Sequence, residues 1–572
     1  MKTSFLVPLG GMLTFLFITA SSSTSPGGNK EIVKDSTKAE KGEAIFNRFC
    51  VGCHNFRQDG IGPQLGGISK LRTETWIQNF IQDPQKVFNS GDQRAKQLYQ
   101  KYKTVMPSFT NFTTGELNAI TAFLNTQQAP AIKVEEEGAL PNPVPDAIKL
   151  SNVVVAVKLV AQFPVSSENG KPPLARITKL DFQPNTAGLF VLDLRGKLYK
   201  LTGNKPAVYM DMVALKPKFI DKPGLATGFG SFAFHPQFIK NGLVYTTHCE
   251  PARSAKADFG FDDSIKVTLQ WVLTEWKADD SKASVFAGRG REILRVNMVA
   301  GNHGVQEITF NPLAKPGEED FGLLYIGIGD GGSVENGFAM LAHNPERIWG
   351  TILRINPTGS NSANGQYGIS QGNPFVSNTA TKKHPEIYAV GFRNPHRITW
   401  TRKNQMLVCN IGHGSIESVN LVVKGHDYGW PIREGNFMVN PVGNLNKVYP
   451  LPLDDSNFHV TYPVAQYDHD EGNAISGGYE YWGSKVAQLK GKFLFGDILQ
   501  GRLFYTDVAD LEQGRQAIVK EWKVSLNGST KSLKEICGNK RVDLHFGRDS
   551  DGELYIMTKT DGKLYKLVNS SL

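Results

Sequence analysis

Gly188-Leu189-Phe190-Val191-Leu192-Asp193 runs on into Arg195-Gly196-Lys197-Leu198-Tyr199-Lys200-Leu201, and this stretch decides the architecture of most of the chain. Two apolar and aromatic runs joined through an Asp/Gly turn spell a hairpin. The pattern returns near the other end, where Gly552-Glu553-Leu554-Tyr555-Ile556-Met557 leads to Asp561-Gly562-Lys563-Leu564-Tyr565-Lys566-Leu567. Looser versions lie between, at Gly322–Ile326 and Gly491–Tyr505. Related hairpins at both ends of residues 148–572 predict an all-β domain of repeated four-stranded units. That is a β-propeller, with about six blades if each takes roughly 70 residues. A β-sandwich array is the competing arrangement and explains the paired ends less readily.

Outward from this domain, residues 128–147 change character: Pro130, Pro141, Pro143 and Pro145 punctuate a stretch that also holds Glu135, Glu136 and Glu137. No hydrophobic period is visible, which predicts a semi-extended linker that keeps two folded units close without fixing their geometry. Before it, residues 36–127 contain Cys50-Val51-Gly52-Cys53-His54. Two thiols at this spacing can add to the vinyl groups of a haem while the adjacent imidazole reaches the iron. Lys41–Phe49 carries Ala44, Ile45 and Phe49 on one side, as an amphipathic helix entering the motif would. Met106-Pro107 offers a thioether 52 residues after His54 (106 − 54), and between the signal and residue 130 His54 and Met106 are the only histidine and methionine. A His/Met pair raises the iron potential and suits electron transfer. Thr113 and Glu116 read as a capping box before Leu117, Ile120, Phe123 and Leu124. Helix, haem motif, glycine-rich loop, methionine loop and closing helix together resemble a small all-α class I cytochrome c.

At 572 residues the chain predicts more than one domain, and a net charge of +9 without a Lys/Arg block gives no nucleic-acid footprint. Lys2, the apolar run Phe5–Ala20 and Ser21–Thr24 read as a signal peptide over residues 1–24, hence export to the periplasm or cell exterior. An uncleaved anchor is the alternative for that run; no later stretch is long enough to span a membrane. Of five cysteines, two lie in the haem motif; Cys249, Cys409 and Cys537 leave room for one disulfide and one free thiol.

Four segments of the β domain place polar residues on turns: Gly301-Asn302-His303-Gly304, Gly329-Asp330-Gly331-Gly332, Gly391-Phe392-Arg393-Asn394-Pro395, and Gly412-His413-Gly414 leading on to Tyr428-Gly429-Trp430-Pro431. With Ala233-Phe234-His235-Pro236, Ile475-Ser476-Gly477-Gly478 and Phe495-Gly496-Asp497, they resemble the soluble glucose/sorbosone dehydrogenases that use pyrroloquinoline quinone (PQQ). The resemblance implies a six-bladed propeller with PQQ and Ca²⁺ in a cleft at its top. It implies His303 as the base that takes the substrate hydroxyl proton, which suits an imidazole. It implies Asp330 as the carboxylate orienting that histidine, and Arg393 and Asn394 as residues against the quinone. It implies the carbonyls of Gly412 and His413 as Ca²⁺ ligands and Arg502 as a partner for a PQQ carboxylate. From the residues alone, His303 also reads as a strand-end histidine, Asp330 as a turn residue and Arg393 as an ion-pair residue. His235 and Tyr428-Gly429-Trp430 read as fold-keeping. The chain departs from the family at Gly304-Val305-Gln306-Glu307, at Ala226, where sugar-oxidising members carry glutamine, and at Tyr481-Trp482-Gly483.

These expectations combine into an exported quinohaemoprotein dehydrogenase. A sugar or other alcohol is oxidised at PQQ–Ca²⁺, and electrons leave one at a time through haem c to an external acceptor. The rival is a propeller that binds a ligand or protein without turnover and carries an electron-transfer cytochrome. Convergence of His303, Asp330 and Arg393 on one cleft separates the two.

Overall fold

The computed structural model describes residues 29–51, 53–60, 62–102, 105–130, 137–224, 226–376 and 382–569. The expected signal segment, residues 1–24, lies outside them, as does the middle of the linker.

The described residues up to 127 carry helices and no strand. The entry helix runs Asn29–Phe49, beginning well before the expected Lys41. It packs against Thr114–Thr126, which starts at the expected capping box: Thr113 Oγ1 accepts from the Glu116 N–H at 3.2 Å and Glu116 Oε2 from the Thr113 N–H at 2.8 Å. These bonds satisfy amide groups that a helix start leaves unpaired. Phe46, Leu117, Ile120, Phe123 and Leu124 form the core between the two helices.

From Lys149 on, the chain is mostly β. Leu189–Asp193 pairs antiparallel with Lys197–Thr202, and Leu554–Thr558 with Lys563–Val568, so both expected hairpins form. The looser version at the Lys492–Asp497 and Leu503–Asp507 strands pairs in the same way. Leu554–Thr558 is buried at every position, on both faces of its pleat, because sheets stack on either side of it. Lys149–Gln162 pairs antiparallel with the C-terminal Lys563–Val568 and parallel with Lys520–Leu526, so the two ends of the domain are stitched into one sheet.

Two expectations are corrected. The described end of the linker is pinned rather than free: the N–H groups of Leu140, Val144 and Ile148 donate to the Val448 carbonyl, Asp468 and Glu471 at 2.9, 3.1 and 3.0 Å. An extended segment has no internal partners for its amides, so neighbouring loops capture them. No disulfide forms among Cys249, Cys409 and Cys537. Cys249 and Cys409 are buried in different apolar clusters.

The helical domain sits on the β domain. Gln58, four residues after His54, donates to the Glu335 carbonyl at 3.2 Å, and Lys540 lies 3.5 Å from the Phe88 ring centre. Lys222 lies 5.0 Å from the ring centre of Phe49, the residue before Cys50.

Candidate active site and haem crevice

The entry helix ends in a turn in which the N–H groups of Cys53 and His54 both donate to the Cys50 carbonyl at 3.0 Å. That turn puts Cys50, Cys53 and His54 on one wall of a crevice of about 280 Å³, and Met106 lines the same crevice. His54 Nδ1 lies 2.8 Å from the Pro63 carbonyl. A carbonyl only accepts, so the proton sits on Nδ1 and Nε2 keeps its lone pair for a metal. A Cβ at Gly62 would stand 2.5 Å from His54 Cε1, so only glycine lets the backbone pass the imidazole this closely. Two thiols, an oriented imidazole and a thioether around an apolar crevice fit a haem, with Cys50 and Cys53 to attach it and His54 and Met106 to ligate it.

The β domain brings the three expected catalytic residues together. His303 ends the turn after the Gly288–Met298 strand, in a left-handed conformation (φ 48°), and is buried. Its Nδ1 donates to Asp330 Oδ1 at 2.8 Å. Asp330 also accepts from the Gly332 N–H at 2.9 Å and from Trp430 Nε1 at 3.0 Å, and its own N–H donates to the Arg393 carbonyl at 2.8 Å. Burial alone would raise the Asp330 carboxyl pKa. His303, Arg393 and the Gly332 N–H outweigh it and hold the group below its ordinary value. Gly332 sits at φ 70°, and a Cβ there would stand 2.5 Å from Asn302 Oδ1, which explains the glycine after Gly331. Among the described residues nothing bonds to His303 Nε2. The imidazole is therefore held in the tautomer that leaves the lone pair on Nε2.

Arg393 is buried beside this pair, its guanidinium donating to the Gly412 carbonyl and lying 3.3 Å from His413 Nδ1. Burial, then the Arg393 charge, pulls the His413 imidazole well below its ordinary pKa and keeps it neutral. Glu335 closes the group: Oε1 accepts from Asn302 Nδ2 at 2.7 Å, and Oε2 lies 3.7 Å from Arg393. Asn394 is buried next to Arg393, its N–H held by Asn410 Oδ1 at 3.0 Å.

Glu335, Asn302 and Trp430 complete the cluster without having been singled out as chemical groups. A signal for Glu335 was its place five residues after Asp330 on the same glycine-rich turn. Arg502 does not join the cluster. It is held by Glu471 and by both oxygens of Glu521, the latter at 3.1 and 2.8 Å, and ties neighbouring strands together. The Gly412 carbonyl, expected as a Ca²⁺ ligand, accepts from the Arg393 guanidinium, which engages one of its two lone pairs. Among the described residues no group of three or more His, Cys, Asp or Glu could hold a metal. An anionic quinone fits better: Arg393 supplies buried positive charge, and His413 Nε2 is a buried polar atom without a partner. Two departures from the family meet here, since Gln306 Nε2 donates to the Ala226 carbonyl at 3.1 Å.

A helical domain with a haem-type crevice thus sits against a β domain that buries a hydrogen-bonded His–Asp–Arg cluster. The chain belongs to the glucose/sorbosone dehydrogenase family, whose model matches residues 176–566; residues 39–128 match cytochrome c. Mouse Hedgehog-interacting protein is 25% identical over 403 residues, 67% of this chain and 49% of its own length. Quinoprotein glucose dehydrogenase B of Acinetobacter calcoaceticus is 24% identical over 231 residues, 38% of this chain and 42% of its own length. A crystal structure of a glucose dehydrogenase superposes with a TM-score of 0.51 at 19% identity, covering 72% of this chain and 99% of that one, which shows a shared fold. The chain spans about half the length of the curated relatives it matches.

Proposed function

We propose that the chain is an exported dehydrogenase that oxidises a sugar or other alcohol with PQQ and passes the electrons to haem c in its own N-terminal domain, and from there to an external acceptor. The carrying observation is the His303–Asp330 bond at 2.8 Å beside Arg393, on the face where Gln58, just after the haem motif, meets Glu335. His303 Nε2 receives the proton of the substrate hydroxyl. Asp330 holds Nδ1–H and balances the imidazolium, and Trp430 and Gly332 keep Asp330 from turning away. Arg393 meets negative charge that develops opposite the base. When bound, PQQ supplies a two-electron acceptor and haem a one-electron outlet. Support for a six-bladed propeller comes from its strand neighbours. Ile177–Phe182, Phe229–Phe234, Glu307–Phe310, Pro395–Trp400, Ile475–Glu480 and Leu544–Arg548 each lie beside the next, and the last lies beside the first.

The second reading, a binding propeller without turnover, is favoured by the Hedgehog-interacting relative. One experiment separates them. Mature protein loaded with haem is incubated with PQQ, then with a panel of aldoses and alcohols, while the ferrous haem bands are followed. Reduction that needs both PQQ and substrate, and that His303→Ala removes, supports the dehydrogenase. Failure to bind PQQ, with haem present, overturns it.

A further inference from the structure

The crevice that takes Cys50, Cys53, His54 and Met106 is not closed by the helical domain alone. Its far wall belongs to the β domain and includes Lys171, Arg176, Arg195, Lys222 and Arg541. Only two carboxylates, Glu168 and Asp221, line it as well. A group whose known bonding atoms are two thiols, an imidazole and a thioether does not account for five cations.

Arg176 is the most telling of them. It is buried, and its guanidinium donates only to backbone carbonyls: Asp221 at 3.1 Å, Gly224 at 3.4 Å and Thr227 at 3.1 Å. Its Nε has no partner among the described residues. A buried guanidinium without a contacting carboxylate is costly unless an anion compensates it. Arg195 stands nearby, its guanidinium on the Pro173 carbonyl at 3.3 Å and on Ser166 Oγ at 2.9 Å. Lys222 reaches the small domain itself, over Phe49, and is ion-paired with Glu168.

We propose that the β domain completes the haem site: Arg176, Arg195 and Lys222 form a cationic wall toward the haem and its propionate carboxylates, and their field holds the haem reduction potential up. The inference rests on the reading of the small domain as a haem carrier. The sign follows from charge. Reduction adds one electron and makes the iron centre less positive, so nearby cations favour the ferrous state, and removing one lowers the potential. A carboxylate on the same wall acts in the opposite direction.

The test uses the full-length chain matured with haem, without PQQ or sugar. The midpoint potential is read by optical spectroelectrochemistry for wild type, Lys222→Ala, Lys222→Arg and Glu168→Gln. Lys222→Ala shifts the midpoint down, Lys222→Arg leaves it near wild type, and Glu168→Gln shifts it up. Opposite shifts from the two partners of one ion pair distinguish a field from loosened packing, which would move both in one direction. Ferrous bands present with all midpoints unchanged, or with Lys222→Ala and Glu168→Gln moving together, overturn the proposal. Absence of haem bands in wild type instead removes the haem reading, and this inference with it.

Discussion

The crevice lined by Cys50, Cys53, His54 and Met106 and the buried His303–Asp330–Arg393 cluster of the large domain differ in what their own side chains supply. Around Cys50, Cys53, His54 and Met106 the small domain sets apolar walls such as Phe46, Phe49, Trp76 and Phe80. It offers few ionisable side chains of its own, so any chemistry there belongs to the group it would hold. The large domain buries His303, Asp330, Glu335, Arg393 and His413 against one another, with hydrogen bonds fixing the tautomer of His303. In a low dielectric that arrangement strengthens interactions among the chain's own groups. The contrast is one of supply: the crevice offers thiols, an imidazole and a thioether on apolar walls, and the large domain offers a buried, hydrogen-bonded set of ionisable groups.

The comparison breaks most completely at His54. His54→Ala removes the imidazole whose tautomer Pro63 sets, and it should abolish the low-spin ferrous spectrum altogether while PQQ binding survives. A variant with a normal ferrous spectrum would show that the crevice does not use this ligand. Asp330→Asn attacks the other side. The amide cannot balance an imidazolium, and substrate-dependent haem reduction should slow by about 10²- to 10⁴-fold, the range general base catalysis contributes. The haem spectrum should stay unchanged, and equal loss in both would mean that the two sites are not separable.

How far each region could be read from sequence follows the same division. The expected haem-binding residues are written mostly locally: Cys50, Cys53 and His54 lie within one turn, and a CxxCH pattern carries its own chemistry. The hairpins were legible at both ends because their apolar runs and Asp/Gly turns repeat. His303, Asp330 and Arg393 were readable only through the motifs around them. Trp430 reads as fold-keeping because an indole in Tyr-Gly-Trp-Pro has no visible partner; its acceptor, Asp330, is 100 residues away. Arg502 misled for the converse reason, since its carboxylates Glu471 and Glu521 sit on separate segments and nothing in the sequence pairs them. The pinned linker was hidden too, because free amides in a proline-rich stretch reveal nothing about which loop will accept from them.

Acid should sharpen the comparison further. Burial pushes His396, His413 and His545, all in the large domain, well below their ordinary pKa. For such a group the unfolded chain takes up a proton near pH 6.5 while the folded protein does not. Their contribution to stability is intact above about pH 6.5 and is lost as pH falls toward the depressed folded values. The large domain should therefore lose its tertiary signal first on acidification. Seven of the eight tryptophans report on it, all but Trp76. Fluorescence should change at a higher pH than the haem absorption, and coincident transitions would count against this assignment.

The smallest effect tests how finely the cleft is built. Trp430 Nε1 donates to Asp330 Oδ2, while the indole also packs under Arg393, whose guanidinium lies 5.8 Å from the ring centre. Trp430→Phe keeps an aromatic face for the guanidinium and removes only the donor. Asp330 would retain His303 and the Gly332 N–H, so the carboxylate stays ionised but loses one of the bonds that hold its plane. Leaving a buried acceptor short of one partner costs about 1–3 kcal/mol, an effect of roughly 5- to 150-fold if it is felt only when the imidazolium forms. The expected readout is a lower kcat for haem reduction with KM little changed, together with a raised apparent acid limb in the pH profile as Asp330 becomes easier to protonate. An unchanged kcat would mean that His303 and Gly332 alone fix the carboxylate and that Trp430 serves the fold.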